Sequence, residues 1–105
     1  MSLRICDTAL AVIVRHYIVK GRVQGVGFRW YVYREASALG LRGWVHNTVE
    51  GNVEVLATGS EEQIGALEGL LQRGSRGSRV DRIEQTERPE AEAESLKPFE
   101  IEGAW

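Results

Sequence analysis

Residues 14–39 read VRHYIVKGRVQGVGFRWYVYREASAL. Up to Val23 the β-branched and aromatic residues alternate with a period of two, which predicts a β-strand. From Phe28 the apolar residues recur every three or four positions, which predicts an α-helix that ends at Gly40. Glycines at alternate positions separate the two patterns. The stretch therefore predicts a strand, a short glycine loop and a helix in direct succession.

The rest of the chain predicts four more strands and a second helix. Ser60 and Gln63 have the spacing of a capping box, in which each side chain satisfies a free amide at a helix start. We expect Pro89–Lys97 to stay exposed, because this segment is too rich in charge to bury. The second helix is built on Ile64, Leu67, Leu70 and Leu71, and the later strands cover 41–46, 53–58, 80–86 and 99–101.

The predicted element order is β-α-β-β-α-β with a short C-terminal strand. Right-handed crossovers place both helices on one face of an antiparallel sheet, so we predict an α+β fold, the ferredoxin-like α/β sandwich. We expect the second strand to lie beside the first, which would bring their C-terminal ends together. Residues 14–102 form the predicted domain, between an N-terminal extension at 1–13 and a tail at 103–105.

Composition excludes several functional classes. The 105 residues carry 13 Lys+Arg against 15 Asp+Glu, a formal net charge of -2 that argues against nucleic-acid binding. Cys6 has no disulfide partner, and with His16 and His46 it is too few ligands for a zinc-type cluster. No stretch approaches the roughly 20 apolar residues of a membrane span. We expect a cytoplasmic protein with no metal, membrane or nucleic-acid partner.

The glycine loop is the first candidate site. Gly25 and Gly27 lead straight into the predicted helix, where backbone amides and the helix dipole both favour an anion. Arg29 stands in the first turn, where a cation does not suit the helix, and beside such amides it can clamp a phosphate or carboxylate. The run lacks the third glycine of a dinucleotide fingerprint. A plain glycine turn with a solvated arginine fits the same residues.

Asn47 is the second candidate, at the end of the second predicted strand. Its amide can both donate and accept, which suits holding a water molecule against an electrophile. An asparagine that opens a hairpin loop is also ordinary turn chemistry. We interpret His16 and His46 as solvent-facing strand residues. Because Trp30 falls on the helix, we interpret it, like its aromatic neighbours, as packing rather than as a base-stacking surface.

Two motifs together resemble the acylphosphatases. The first motif is residues 21–29, which read GRVQGVGFR. The second is residues 43–47, which read GWVHN and are followed by GNVE at residues 51–54. The resemblance runs from about Val14 to Ile101, so the predicted domain is acylphosphatase-like. It implies an enzyme that hydrolyses small acyl phosphates, such as acetyl phosphate, carbamoyl phosphate or 1,3-bisphosphoglycerate, to a carboxylate and inorganic phosphate.

The same resemblance implies the residue roles. Arg29 binds the phosphoryl group and Asn47 orients the attacking water. A backbone cradle completes the phosphate site, and its residues are Gln24, Gly25, Val26, Gly27 and Phe28. We expect no cofactor and a monomer. The alternative is a non-enzymatic module of the same fold that binds RNA on its open sheet face or a small anion at the cradle.

Overall fold

The computed structural model describes residues 12–103. The elements in this part of the chain are β1 (Ile13–Arg22), α1 (Phe28–Ala38), β2 (Arg42–Asn47), β3 (Val53–Gly59), α2 (Glu61–Arg73), β4 (Arg79–Arg88), a 3₁₀ helix (Glu90–Ser95) and β5 (Glu100–Ile101). Their order confirms the ferredoxin-like α+β fold. Cys6, the extension up to residue 11, and residues 104–105 lie outside the described part. β1 begins at Ile13, and the domain limits of 14–102 stay a prediction.

The five strands described here form one sheet in the order β4-β1-β3-β2-β5. β3 pairs antiparallel with both β1 and β2, whereas β5 pairs parallel with β2. The prediction of an antiparallel sheet is therefore wrong at β5, which makes the sheet mixed. The prediction that β2 lies beside β1 is also wrong, because β3 lies between them. Since both are antiparallel to β3, β1 and β2 run in the same direction and end at the same side of the sheet.

Both helices pack on one face of this sheet and enclose the main core. The core residues include Tyr17, Val19, Val53, Val55, Phe28, Val32, Ile64 and Leu67. The Tyr17 hydroxyl donates to Glu68 of α2 at 2.8 Å, and burial together with this bond raises the pKa of the phenol. Arg15 donates to the same carboxylate oxygen at 2.7 Å, so both residues tie β1 to α2. No helix within residues 12–103 is long and apolar enough to cross a membrane.

The 3₁₀ helix covers part of the other face, called the outer face below. A second, smaller core forms there, and its buried members are Val14, Leu56, Ala93 and Leu96. The Arg42 guanidinium holds the segment in place by donating to the carbonyl oxygens of Leu96 and Ala93, at 2.9 and 3.1 Å. The prediction that Pro89–Lys97 stays exposed is therefore wrong at these two residues. Two apolar side chains among many charges are enough to dock the segment.

Candidate active site

The loop between β1 and α1 bends at two glycines. Gly25 and Gly27 both have φ of 76°, in the left-handed region that glycine adopts without steric cost. A Cβ at either position would meet nothing within 4 Å, so the glycines are needed for backbone conformation and not for space. Left-handed residues in such a sequence turn successive amides towards a common concavity that suits an anion. The two glycine conformations are therefore compatible with an anion-binding loop.

The start of α1 continues this concavity. Gly27 is the N-cap and supplies no side-chain hydrogen bond, and no acidic residue lies in the first turn. Phe28, the first helical residue, is buried in the core and anchors the turn. The opening amides of any helix have no partner within it, and the dipole adds partial positive charge there. Arg29, the second helical residue, adds a full positive charge at the same end.

These residues surround a pocket of about 220 Å³. Its lining consists of Val23, Gly25, Gly27, Phe28, Arg29 and Trp30. The structure thus brings together four of the seven predicted site residues. Val26 instead turns its side chain to the main core, and Gln24 and Asn47 do not line the pocket.

Gln24 links the loop to the β2–β3 hairpin. Its side-chain amide donates to the carbonyl oxygens of Thr48 at 2.9 Å and Asn52 at 2.8 Å. Thr48 and Asn52 also bond to each other across the hairpin loop, through the Thr48 amide to the Asn52 carbonyl at 2.9 Å. The sequence placed Gln24 in the cradle through its backbone and missed this side-chain role, because the contact spans two loops far apart in the chain.

Asn47 lies immediately before this bonded hairpin loop. It pairs with Val53 of β3, which in turn pairs with Val19 of β1, so Asn47 belongs to the helix-covered face of the sheet. Its side-chain carbonyl oxygen is buried and has no hydrogen-bond partner among residues 12–103. A buried acceptor without a partner costs about 1–3 kcal/mol, and such groups in native proteins call for a functional or solvent partner. Through Thr48 and Gln24, Asn47 is linked to the glycine loop, as predicted, although β3 separates the two strands.

The outer face carries a cluster that the sequence did not indicate. Both oxygens of the Glu54 carboxylate are hydrogen-bonded, one by the His16 ring and the other by the His46 ring at 2.6 Å. Burial opposes ionisation of Glu54, but these two bonds outweigh it and lower the pKa of the carboxyl. The histidines are half-buried, so the interpretation as solvent-facing residues is wrong. No group of three His, Cys, Asp or Glu in residues 12–103, this cluster included, could hold a metal ion.

The aromatic residues of α1 divide into two kinds. Tyr31 packs against Phe28 and donates its hydroxyl to the Leu70 carbonyl at 2.9 Å, as expected of a packing residue. Trp30 does not fit that interpretation, because 52% of its surface is exposed and it lines the pocket. Helical spacing could have indicated this, since Trp30 lies off the buried stripe of Phe28, Val32 and Ala36.

A second pocket, of about 260 Å³, lies where α2 meets β4. It is lined by Gln72, Val80, Asp81, Arg82 and Ile83. Asp81 pairs with Arg79, and Arg82 pairs with Glu84, so the charges around this pocket are neutralised by neighbours on the same strand. It has neither the left-handed glycines nor the uncapped helix start of the first pocket. The glycine-loop pocket is therefore the candidate active site.

Comparison with known proteins shows which family the chain belongs to. The sequence profile of the acylphosphatase family matches residues 15–101. The chain belongs to the acylphosphatase family. This confirms the resemblance carried by the two motifs, and the matched range runs from β1 through β5.

Individual acylphosphatases are similar over most of the chain. The acylphosphatase of Koribacter versatilis is 50% identical over 91 residues, which cover 87% of this chain and 81% of the relative. The crystal structure of acylphosphatase from Bacillus subtilis superposes with a TM-score of 0.81 at 40% identity, covering 87% of this chain and 99% of that one. T. kodakarensis HypF also superposes, with a TM-score of 0.72 at 35% identity, but the match covers 88% of this chain and 12% of that one.

Proposed function

We propose that this acylphosphatase hydrolyses acyl phosphates to a carboxylate and inorganic phosphate, with Arg29 and Asn47 as catalytic residues and the loop backbone from Gln24 to Phe28 as the phosphate cradle. The observation that carries the proposal is the pocket at the start of α1. Two exposed left-handed glycines, an uncapped helix start and an arginine share its lining. Each of these features favours an anion, and together they suit a phosphoryl group.

The chemistry of the substrate needs little more than this. Water attacks phosphorus while the bond from phosphorus to the acyl oxygen breaks, and the electron pair leaves with the carboxylate. Because a carboxylate is a good leaving group, no general acid is required, and catalysis comes from positioning and from stabilising charge on the equatorial oxygens. The proton of the attacking water passes to an oxygen of the transferred phosphate. Asn47 would hold that water through its side-chain amide.

The test is hydrolysis of benzoyl phosphate by the purified protein in the presence of a metal chelator. We expect turnover in the wild type and a loss of at least about 100- to 1000-fold in Arg29→Ala, since that variant lacks a preorganised donor to the phosphoryl group. Asn47→Ala should lose about 100-fold or more while keeping phosphate affinity, because the amide acts on water and not on phosphate.

Arg34→Ala is the matched control for Arg29. Arg34 lies on the same helix, its side chain is 61% exposed and it pairs with Glu35. This variant should hydrolyse benzoyl phosphate like the wild type. Folding of all three variants is checked by circular dichroism. Near-normal turnover in folded Arg29→Ala or Asn47→Ala would refute the residue assignment.

We also propose that the protein acts as a cytoplasmic monomer without metal, cofactor or nucleic acid, because the proposed chemistry uses only Arg29, Asn47 and the amides of the glycine loop. Family membership favours the enzyme over an RNA- or anion-binding module. The outer-face positions His16, Ile18 and Lys20 also lack the paired aromatic residues with which RNA readers of this fold stack bases. Salt-dependent RNA binding without hydrolysis would support the module instead.

A further inference from the structure

Trp30 stands out among the apolar residues of the described chain. It is one of two large hydrophobic residues exposed within residues 12–103, the other being Val49 in the hairpin loop. The indole is not loose, because it stacks on the Tyr33 ring with centroids 5.3 Å apart and an angle of 28° between the planes. Tyr33 in turn packs against the main core. The structure therefore holds an aromatic surface in place at the cost of leaving it in water.

This surface belongs to the glycine-loop pocket. Trp30 lines it together with Arg29 and the two left-handed glycines, whereas the side chains of Val23 and Phe28 are buried in the main core beneath it. One pocket thus combines groups that attract an anion with an aromatic wall. An acyl phosphate has the same two parts, since a charged phosphoryl group is joined through one oxygen to an acyl group that can be apolar.

We infer that Trp30 forms the binding surface for the acyl group and gives the enzyme a preference for aromatic acyl phosphates over acetyl phosphate. The inference rests on the proposed function. With the phosphoryl group held by Arg29 and the cradle, the acyl group is directed to the remaining wall of the pocket. An aromatic acyl group can stack on the indole and displace water from it, whereas an acetyl group is too small to cover it.

Such a contact forms equally in the bound substrate and in the transition state, because the acyl group does not react beyond releasing its oxygen. Removing it should therefore raise KM and leave kcat unchanged. The loss of a stacked aromatic pair should weaken the affinity for the substrate by about five- to tenfold. We expect that change for benzoyl phosphate, and less than about twofold for acetyl phosphate.

The experiment measures kcat and KM for both substrates in the wild type, Trp30→Ala, Trp30→Phe and Trp44→Ala. Trp44 is the matched control, because it lies on the outer face against His46, on the other side of the sheet from the helices. Trp30→Ala should raise KM for benzoyl phosphate alone, and Trp30→Phe should restore most of the affinity. Trp44→Ala should leave the ratio between the two substrates unchanged.

Two outcomes would overturn the inference while leaving the proposed function intact. One is that Trp30→Ala leaves the KM for both substrates unchanged. The other is that it raises the KM for both substrates by the same factor. Binding of phenylphosphonate and of inorganic phosphate, measured by calorimetry, tests Trp30 without the reaction. If the wild type hydrolyses neither substrate, the proposed function fails, and equal binding of phenylphosphonate by the wild type and Trp30→Ala would then refute the role of Trp30 as well.

Discussion

Within residues 12–103, the connections from β1 to α1 and from β3 to α2 occupy corresponding places in the fold, but the two helices begin in opposite ways. At α2, the Ser60 hydroxyl accepts from the Gln63 amide at 3.1 Å, and the Gln63 side chain accepts from the Ser60 amide at 2.8 Å. Glu61 and Glu62 then place negative charge in the first turn. At α1, the cap is a glycine without a side-chain bond, and the charged residue of the first turn is Arg29.

The difference shows where the chain keeps binding capacity for a substrate. The start of α2 is satisfied by its own side chains, so its amides and dipole are already used for stability. At the start of α1, the amides and the helix dipole can instead act on a bound anion. Arg29 adds a positive charge there, although a cation at this end does not stabilise the helix. Comparing the two connections therefore separates stability from function within one repeated motif.

The largest effect should come from giving α1 the charge pattern of α2. We predict that Arg29→Glu and Arg29→Gln both lose at least about 100- to 1000-fold in turnover, because both lack the cation. The free energy of unfolding should nevertheless be about 0.3–1 kcal/mol higher for Arg29→Glu than for Arg29→Gln, because a carboxylate at this position interacts favourably with the helix dipole. Denaturant unfolding measures the difference. The same pair of substitutions at Arg34, away from the helix end, should differ less, and equal stability of the two Arg29 variants would break the comparison.

A smaller loss should follow from cutting the link between the glycine loop and the hairpin. Gln24→Ala removes both hydrogen bonds to the Thr48 and Asn52 carbonyls. We predict a fall in kcat of about ten- to a hundredfold through misplacement of Asn47, and a loss of about 1–3 kcal/mol in unfolding free energy. Gln85→Ala on the exposed part of β4 is the control and should change neither quantity. An unchanged kcat in Gln24→Ala would show that the loop holds its shape alone.

At α2, the effect should fall on stability alone. We predict that Ser60→Ala lowers the unfolding free energy by about 1 kcal/mol, because the hydroxyl no longer accepts from the Gln63 amide. For a domain of this size that corresponds to a fall in Tm of roughly 4–8 °C. The kcat/KM for benzoyl phosphate should stay at the wild-type value. A loss of turnover that tracks the loss of stability would mean that the two connections are not independent.

The smallest effect should be on the pH dependence of stability, through a residue of β3, the strand that leads into α2. Although burial opposes ionisation, the hydrogen bonds from His16 and His46 hold the pKa of Glu54 in β3 below its ordinary value. Its carboxylate therefore stabilises the folded state above the unfolded pKa and loses this contribution as pH falls through the folded pKa. We predict that stability falls less steeply below about pH 4.5 in Glu54→Gln than in the wild type, as followed by thermal melts from pH 6 to pH 3. Turnover at neutral pH should change little, because Glu54 faces away from the helices. If the thermal stability of the wild type and of Glu54→Gln fell equally with pH, the stabilising role of the histidine–carboxylate cluster would be refuted.

Features that depend on neighbours in the chain were predictable. The glycine loop, the start of α1 at Phe28 and the capping box at Ser60 all follow from residues a few positions apart, and the structure has each of them. The site motif was recognisable for the same reason, since most of its residues lie between Gln24 and Arg29.

Features that depend on residues far apart in the chain were not predictable from the sequence. Nothing local to β1 or β2 indicates that β3 pairs between them, and Ala93 and Leu96 gain their burial only from a sheet face built elsewhere in the chain. The contacts of Gln24 likewise depend on which surfaces the tertiary fold brings together. The exposure of Trp30 is different, because its position off the buried stripe of α1 could have indicated it. The glycine loop and the exposed face of α1 were therefore predictable from the sequence, whereas the side-chain support of the loop was not.

The central position of β3 has a consequence for the order in which the site assembles. β3 and β2 are joined by a short loop, so this hairpin and Asn47 at its mouth can form from nearby residues within about 1–10 μs. The glycine loop meets the hairpin only when β1 pairs with the other edge of β3, and the Gln24 contacts then join residues 24 and 28 positions apart. Closing such loops costs conformational entropy before the favourable contacts form. In refolding experiments, activity should therefore return with the pairing of β1 and not with the earlier appearance of secondary structure.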